Sequence, residues 1–145
     1  ANCRELTAQG HLLPIWKQST KLNTERGLIV GDAAGLVDPL SGEGIYYALK
    51  SGQLASQTII EYLNSQQSLN KYTKLINNTI VPEFKAAKLL IKPFFYLPKQ
   101  IHQLINYKPT IFKELLQVIY GDKTYNSLYK LFMDEIPFFK QLVNK

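Results

Sequence analysis

The stretch "GDAAGLVDPLSGEGIYYALKSG", Gly31–Gly52, constrains the fold of this chain more than any other. Five of the eight glycines fall in it, with Pro39, Asp32, Asp38 and Glu43. A short apolar run, "GLIV" at 27–30, leads in, and a pattern of helical spacing rich in small residues leads out. Continuous rather than alternating hydrophobicity reads as a buried strand. The order predicted is therefore strand over 27–30, glycine loop, then helix. Glycine permits left-handed backbone and close approach, so such a loop suits curling against something flat and polar. Asp32 follows the strand and is presented at its carboxyl end, where open α/β sheets bind ligands. Its carboxylate is a pure acceptor suited to sugar or polyol hydroxyls; it suits equally the N-cap of a short turn through "AAG". Pro39 fixes a bend. Gly42 and Gly44 flank Glu43 and precede a helix start between Gly42 and Ile45. The free amides and positive dipole end there attract an anion, or an electron-rich carbonyl and nitrogen. A plain glycine loop before a helix has the same composition.

Downstream the chain reads as helical. From about Glu43 to Asn64 the apolar and small positions Ile45, Ala48, Leu49, Gly52, Ala55, Ile59 and Leu63 make one face. Gly52, with Ala48 and Ala55, leaves a smooth strip for close approach of another backbone. A second stripe runs from Ser68 to about Phe95, through Leu69, Tyr72, Ile76, Ile80, Phe84, Ala87, Ile91 and Phe95. Pro82 should kink it by removing the bond to Asn78. "PFFYLP" is a break, and shorter helices are predicted over 98–106, 109–120, 123–132 and 136–143, with Gly121 as a stop. The fold class expected is α+β: one or more short strands, then a mostly helical tail. Residues 1–64 form the loop-bearing part and 65–145 the helical region.

Composition narrows the function classes. The 145 residues suffice for one domain with a real core. The first residue is Ala1, which fits processing or a piece of something longer, and no charged-then-apolar leader opens the chain. The longest greasy run, "KLLIKPFFYLP", is broken by Lys92 and Pro93 and falls short of the about 20 apolar residues that span a bilayer. Cys3 is the only cysteine, so an internal disulfide is excluded and a reducing, cytoplasmic compartment is expected. With only His11 and His102 besides, a zinc site of the usual spacing is excluded, and no metal is expected. The net charge of +6 lies wholly in residues 59–145, where 12 Lys face six acids. All seven Phe and seven of the nine Tyr are there too. Lys interleaved with aromatics fits an anionic membrane surface or nucleic acid, or a solvated helical face over an aromatic core.

Two nucleotide motifs are ruled out. "GEGIYY" begins like a dinucleotide fingerprint, but Tyr47 stands at the third glycine and no acid closes a βαβ unit at the right distance. "GDAAG" is not followed by Gly-Lys-Ser/Thr, so it is no Walker loop. The chain therefore has no diphosphate cradle of its own.

Taken together, the halves of the motif resemble one family. Strand, Gly-Asp-Ala-Ala-Gly, Pro, Gly-x-Gly and a long small-residue helix look like the second flavin-binding motif of FAD-dependent oxidoreductases of the para-hydroxybenzoate hydroxylase fold. The form "GDAAGLVDPLSGEGIYYALKSG" is most similar to the geranylgeranyl reductase branch. "GHLLPI" upstream, and "NKYTKLINNTIVPEF" and "YGDKTYNSLY" downstream, resemble the same family. The resemblance implies cofactor contacts at Gly31, Asp32, Pro39, Gly42, Gly44 and Ile45. Asp32 would bond the ribityl hydroxyls of FAD, Pro39 would lie beside the isoalloxazine, and the amides around Gly42, Gly44 and Ile45 would face flavin N1 and O2. A helix N-terminus suits the negative charge of reduced flavin. It identifies no catalytic side chain, and neither Tyr46 nor Tyr47 is given a role.

The family's Gly-x-Gly-x-x-Gly loop and substrate-covering sheet have no counterpart here. The expectation is the C-terminal portion of a longer flavoenzyme, inactive by itself and completed by the missing N-terminal part. The reaction implied is reduction of isoprenoid C=C bonds by hydride from reduced flavin, with NADPH or ferredoxin as donor. Partners expected are an isoprenoid or other apolar substrate and peripheral membrane contact, without nucleic acid. A flavin monooxygenase or halogenase of the same fold, and a non-catalytic helical partner-binding module, are the alternatives.

Overall fold

A computed structural model describes residues 10–65, 67–136 and 139. A 3-10 turn at Gly31–Ala34 precedes six α-helices: α1 (Ile45–Ser65), α2 (Asn70–Thr79), α3 (Val81–Tyr96), α4 (Pro98–Tyr107), α5 (Pro109–Ile119) and α6 (Tyr125–Glu135).

Prolines punctuate the tail. Pro82, Pro98 and Pro109 each sit in the first turn of a helix, where an amide has no intrahelical partner to lose. At Pro82 the expected kink is a division between α2 and α3, with Ile80 between them. The Ile80 amide still reaches Ile76 O at 2.9 Å and Phe84 N reaches Ile80 O at 3.2 Å, so the two helices run nearly end to end. Helix α3 absorbs Pro93 and continues to Tyr96, so the break in "PFFYLP" falls only at Leu97. The helices expected over 98–106, 109–120 and 123–132 appear within three residues of those bounds. Of the helix expected over 136–143, only Ile136 and Phe139 lie among the described residues.

The α+β expectation is overturned. Among the described residues there is no strand and no sheet, and the chain is mainly helical. The segment 27–30 is extended where a strand was expected, with Val30 at φ −125°, ψ 162°. Only an isolated antiparallel bridge, Asn23 to Leu28, pairs it, and a parallel bridge joins Ile15 to Val37. A strand needs neighbours to complete its ladder. These residues have one bridge partner, and Ile29 and Val30 remain 41% and 39% exposed rather than buried.

Two apolar clusters hold the helices. Trp16, Leu22 and Leu36 from the loop region pack with Ala55 of α1 and with Tyr72, Ile76, Ile80, Val81 and Phe84. Further on, Ala87 and Leu90 of α3 pack with Ile111 and Val118 of α5 and Leu128 and Phe132 of α6. Leu40 packs against this second cluster, tying the glycine loop to the tail. Glu83 reinforces the junction of α3 and α6: one carboxylate oxygen accepts from Tyr125 N at 2.6 Å and the other from the Asn126 side chain.

Helix α1 is buried on a different face from the one its periodicity suggests. Ser51, Ala55 and Thr58 are inside. Ile45, Leu49 and Leu63 are 75%, 72% and 72% exposed, and Ile59 and Ile60 are also outside. A Cβ on Gly52 would meet nothing within 4 Å. The small and polar stripe suits close packing on the 3-10 turn and α2, which leaves the apolar stripe unpartnered among the described residues.

Candidate functional site

The 3-10 turn is set against α1 by one buried contact. Gly31 N donates to Ser51 Oγ at 3.0 Å, and Ser51 Oγ in turn donates to Ala48 O at 3.1 Å. Gly31 has φ +55°, and a Cβ there would stand 3.0 Å from the Ala48 Cβ. Only glycine satisfies both the left-handed backbone and that approach. Gly35 closes the turn at φ +64°, its amide bonded to Asp32 O.

Asp32 is exposed, and its side chain does not cap the turn: the N-cap is Val30, with no side-chain cap bond. Its Oδ1 instead lies beside Gly44, at the start of α1, where a Cβ would be 3.0 Å away. Gly44 is thus the residue that lets this carboxylate reach the helix terminus.

The turn between the two halves is heavily determined. Asp38 is 2% exposed; its Oδ1 accepts from Leu40 N at 2.7 Å and Ser41 N at 3.1 Å. Its own amide donates to Glu43 O and its carbonyl accepts from Gly42 N. Gly42, at φ +74°, turns the chain into the helix. Glu43 Oε1 accepts from Tyr46 N at 2.9 Å, so the side chain before Gly44 caps one of the orphan amides of α1. Tyr47 is half-buried against the first apolar cluster, edge-on to Phe84 with ring centroids 4.5 Å apart. Burial pushes its phenol well above the ordinary value of 10.0, with the charges of Asp38 and Glu83 adding.

Asp32, Gly42, Gly44 and Ile45 line one depression of about 320 Å³ with Leu13, Val37, Glu43 and Ala48. That is the low end of the roughly 300–1,000 Å³ of ligand pockets, room for one part of a large cofactor. Gly31 and Pro39 do not line it: Gly31 is buried behind, and Pro39 sits half-buried in the turn. Ser51, Glu43, Asp38 and Tyr125 were not singled out from the sequence. Ser51 was legible as a hydroxyl inside a small-residue stripe, and Glu43 as an acid beside a helix start. Tyr125 carried no local signal, since its partner Glu83 lies 42 residues away. Among the described residues no cluster could hold a metal ion, and no helix is long and apolar enough to cross a membrane.

The described geometry can be set beside known proteins. No family model matches the chain, and no solved structure does. It is 33% identical over 96 residues to the chloroplastic geranylgeranyl diphosphate reductase of Nicotiana tabacum, which covers 62% of this chain and 20% of the relative. It is 32% identical over 96 residues to digeranylgeranylglycerophospholipid reductase 3 of Methanosphaera stadtmanae, covering 59% of this chain and 24% of the relative. A shorter match, 55% over 49 residues, is to conditioned medium factor receptor 1 of Dictyostelium discoideum, 31% of this chain and 10% of that protein. The chain thus spans about a fifth to a quarter of the length of the two reductases. The resemblance carried by Gly31–Gly52 is borne out: over that part of their length, this chain is a homologue of the geranylgeranyl diphosphate and digeranylgeranylglycerophospholipid reductases.

Proposed function

We propose that this chain supplies the flavin-ring side of an FAD site in a reductase of isoprenoid C=C bonds, as part of a longer polypeptide. The observation that carries the reading is the Asp32 carboxylate, which is exposed and beside the glycine-opened N-terminus of α1. A carboxylate acceptor next to the donating amides of a helix N-terminus is the pair of groups that a polyol chain joined to an electron-rich ring requires. The depression opens beside Gly44, where a Cβ would crowd Asp32, and would take part of such a ring. When bound, the flavin supplies the hydride for C=C reduction, and NADPH or ferredoxin would recharge it.

The chain's own residues would bind and orient. Asp32 would accept bonds from the ribityl hydroxyls. The amides of Gly44 and Ile45, at the positive end of α1, would favour negative charge on the pyrimidine edge, while Glu43 occupies the neighbouring Tyr46 amide. Pro39 would bound the ring from the Asp38–Gly42 turn. The remaining contacts, to adenosine and diphosphate, would come from the rest of the polypeptide.

That remainder would also cover the outward face of α1 and the exposed side chains of Ile29 and Val30. Five large aliphatic side chains on one helix are more apolar surface than a helix normally leaves to water. The test is FAD titration of the parent polypeptide, followed by quenching of flavin fluorescence. Stoichiometric binding that residues 1–145 lack is expected; a parent that takes up no flavin rejects the reading.

A further inference from the structure

Two exposed apolar surfaces of the molecule differ in charge. The outward face of α1 has an acid at each end, Glu43 and Glu61, with Lys50 between. The other surface is the corner where α3 meets α4. Phe95 and Tyr96, the last two residues of α3, are each 75% exposed. Their neighbours fix them there: Pro93 before them and Ile101 after them are buried. Leu97 N donates to Pro93 O at 2.8 Å, and Ile101 N donates to Leu97 O at 3.0 Å, so one residue ends α3 and starts α4. The charge around this corner has one sign. Residues 84–113 contain six Lys and no Asp or Glu. Lys92 and Lys99 stand one helical turn before Phe95 and three residues after Tyr96, and neither has an ion pair among the described residues, whereas Lys108 is paired with Glu135 at 2.9 Å. Lys99 also lines, with Pro98, His102 and Gln103, an open depression of about 450 Å³ that has no carboxylate in its wall.

One exposed apolar side chain is ordinary. Two adjacent rings on a fixed corner, bracketed by unpaired cations, combine the two attractions of a lipid surface. Aromatic rings settle at the headgroup level of a bilayer, and Lys stems run along apolar surface while their ammonium groups stay in the polar layer. An anionic leaflet draws such lysines once they are within a Debye length of it. We propose that the α3–α4 corner docks peripherally on an anionic phospholipid surface: Phe95 and Tyr96 enter the headgroup region, Lys92 and Lys99 meet its phosphates, and the depression beside Lys99 admits a headgroup. Phe95 has no polar atom and gains from an apolar phase, which the phosphate backbone of a nucleic acid does not offer. Docking at this corner requires no bound flavin.

The test is sedimentation with vesicles of phosphatidylcholine alone, or of phosphatidylcholine mixed with phosphatidylglycerol. Two proteins are compared: the parent polypeptide, and residues 1–145 carrying Leu49→Asp and Leu63→Asp so that the α1 face does not contribute. Both should pellet with the anionic vesicles, stay in solution with the neutral ones, and be released as salt is raised. Lys92→Gln with Lys99→Gln should weaken partitioning about thirtyfold. Phe95→Ser with Tyr96→Ser should weaken it roughly tenfold, with helical circular dichroism unchanged in both pairs. Lys71→Gln with Lys74→Gln on α2, an equal change of net charge, should have little effect. An equal loss from the α2 pair overturns the proposal, as does equal binding to neutral and anionic vesicles. Binding by residues 1–145 that the parent lacks overturns it by showing that the rest of the polypeptide covers the corner. Binding to duplex RNA or DNA in place of vesicles overturns it in favour of a nucleic-acid surface.

Discussion

The Asp32 carboxylate stands against the backbone of Gly44, so that a Cβ at Gly44 would lie 3.0 Å from Asp32 Oδ1 and 3.5 Å from the Val37 side chain. The two halves of the glycine motif, 12 residues apart, meet at this point. Gly44 has no left-handed backbone, unlike Gly31 and Gly42. Its substitution therefore tests the space beside Asp32 and not the turn. Gly44→Ala is expected to displace the carboxylate and weaken FAD binding by the parent at least tenfold, with the apo Tm lowered by only a few degrees. Isothermal titration and thermal unfolding separate the two effects.

Ser51 gives a prediction that does not depend on any ligand. Ser51→Ala leaves the buried Gly31 amide without its acceptor. An unsatisfied buried donor costs about 1–3 kcal/mol. Urea unfolding should show a lower midpoint with an unchanged slope, and Ser51→Thr should recover less than half the loss, because its extra methyl enters a fully buried position.

The outward face of α1 yields a third. Leu49→Asp with Leu63→Asp should leave the helicity of residues 1–145 nearly unchanged and reduce its binding of a hydrophobic dye, since both side chains are exposed here. The same pair in the parent polypeptide should prevent folding to a flavin-bound state. A parent that tolerates both charges with full flavin content rejects the proposed covering of α1.

Much of this architecture was legible because its causes are local. Pro98 and Pro109 announce helix starts through their missing amide, and the Gly42–Ile45 boundary is visible in the glycines themselves, whereas Pro82, expected to kink one helix, stands in the first turn of a second. The errors are non-local. The run 27–30 has the composition of a strand and the backbone of one, but pairing depends on neighbours that the described residues do not include. The apolar stripe of α1 predicted the wrong inner face because periodicity shows a face without showing what it faces. Leu49 and Leu63 point out, while Ser51, a poor core residue by composition, points in to bond Gly31. Of the six residues expected at the cofactor, Asp32, Gly42, Gly44 and Ile45 line one depression, and Gly31 and Pro39 do not. Tyr125 could not be foreseen, because its amide meets Glu83 only once α3 and α6 have packed.

Alkaline pH offers a fourth test. Tyr47, Tyr72 and Tyr125 have phenols raised above 10.0, in each case chiefly by burial. A raised folded-state value stabilises the fold fully below pH 10, and that contribution is lost as pH climbs toward the folded value. Absorbance at the tyrosinate band should show the exposed tyrosines ionising near pH 10, with these three ionising only together with loss of helical circular dichroism. Their smooth ionisation in a still-helical protein would contradict the buried placement.

The most direct test of the account is Asp32→Ala in the parent polypeptide, with FAD titration and apo thermal unfolding measured on the same samples. Charge-assisted bonds to polyol hydroxyls contribute about 1.5–3 kcal/mol each. Losing two should weaken FAD binding by about two to four decades at roughly 1.4 kcal/mol per decade. Because Asp32 makes no cap bond to the turn, the apo Tm should hardly move. Unchanged FAD affinity with a lowered apo Tm would contradict the account, returning Asp32 to a structural role and removing the residue on which the flavin reading rests.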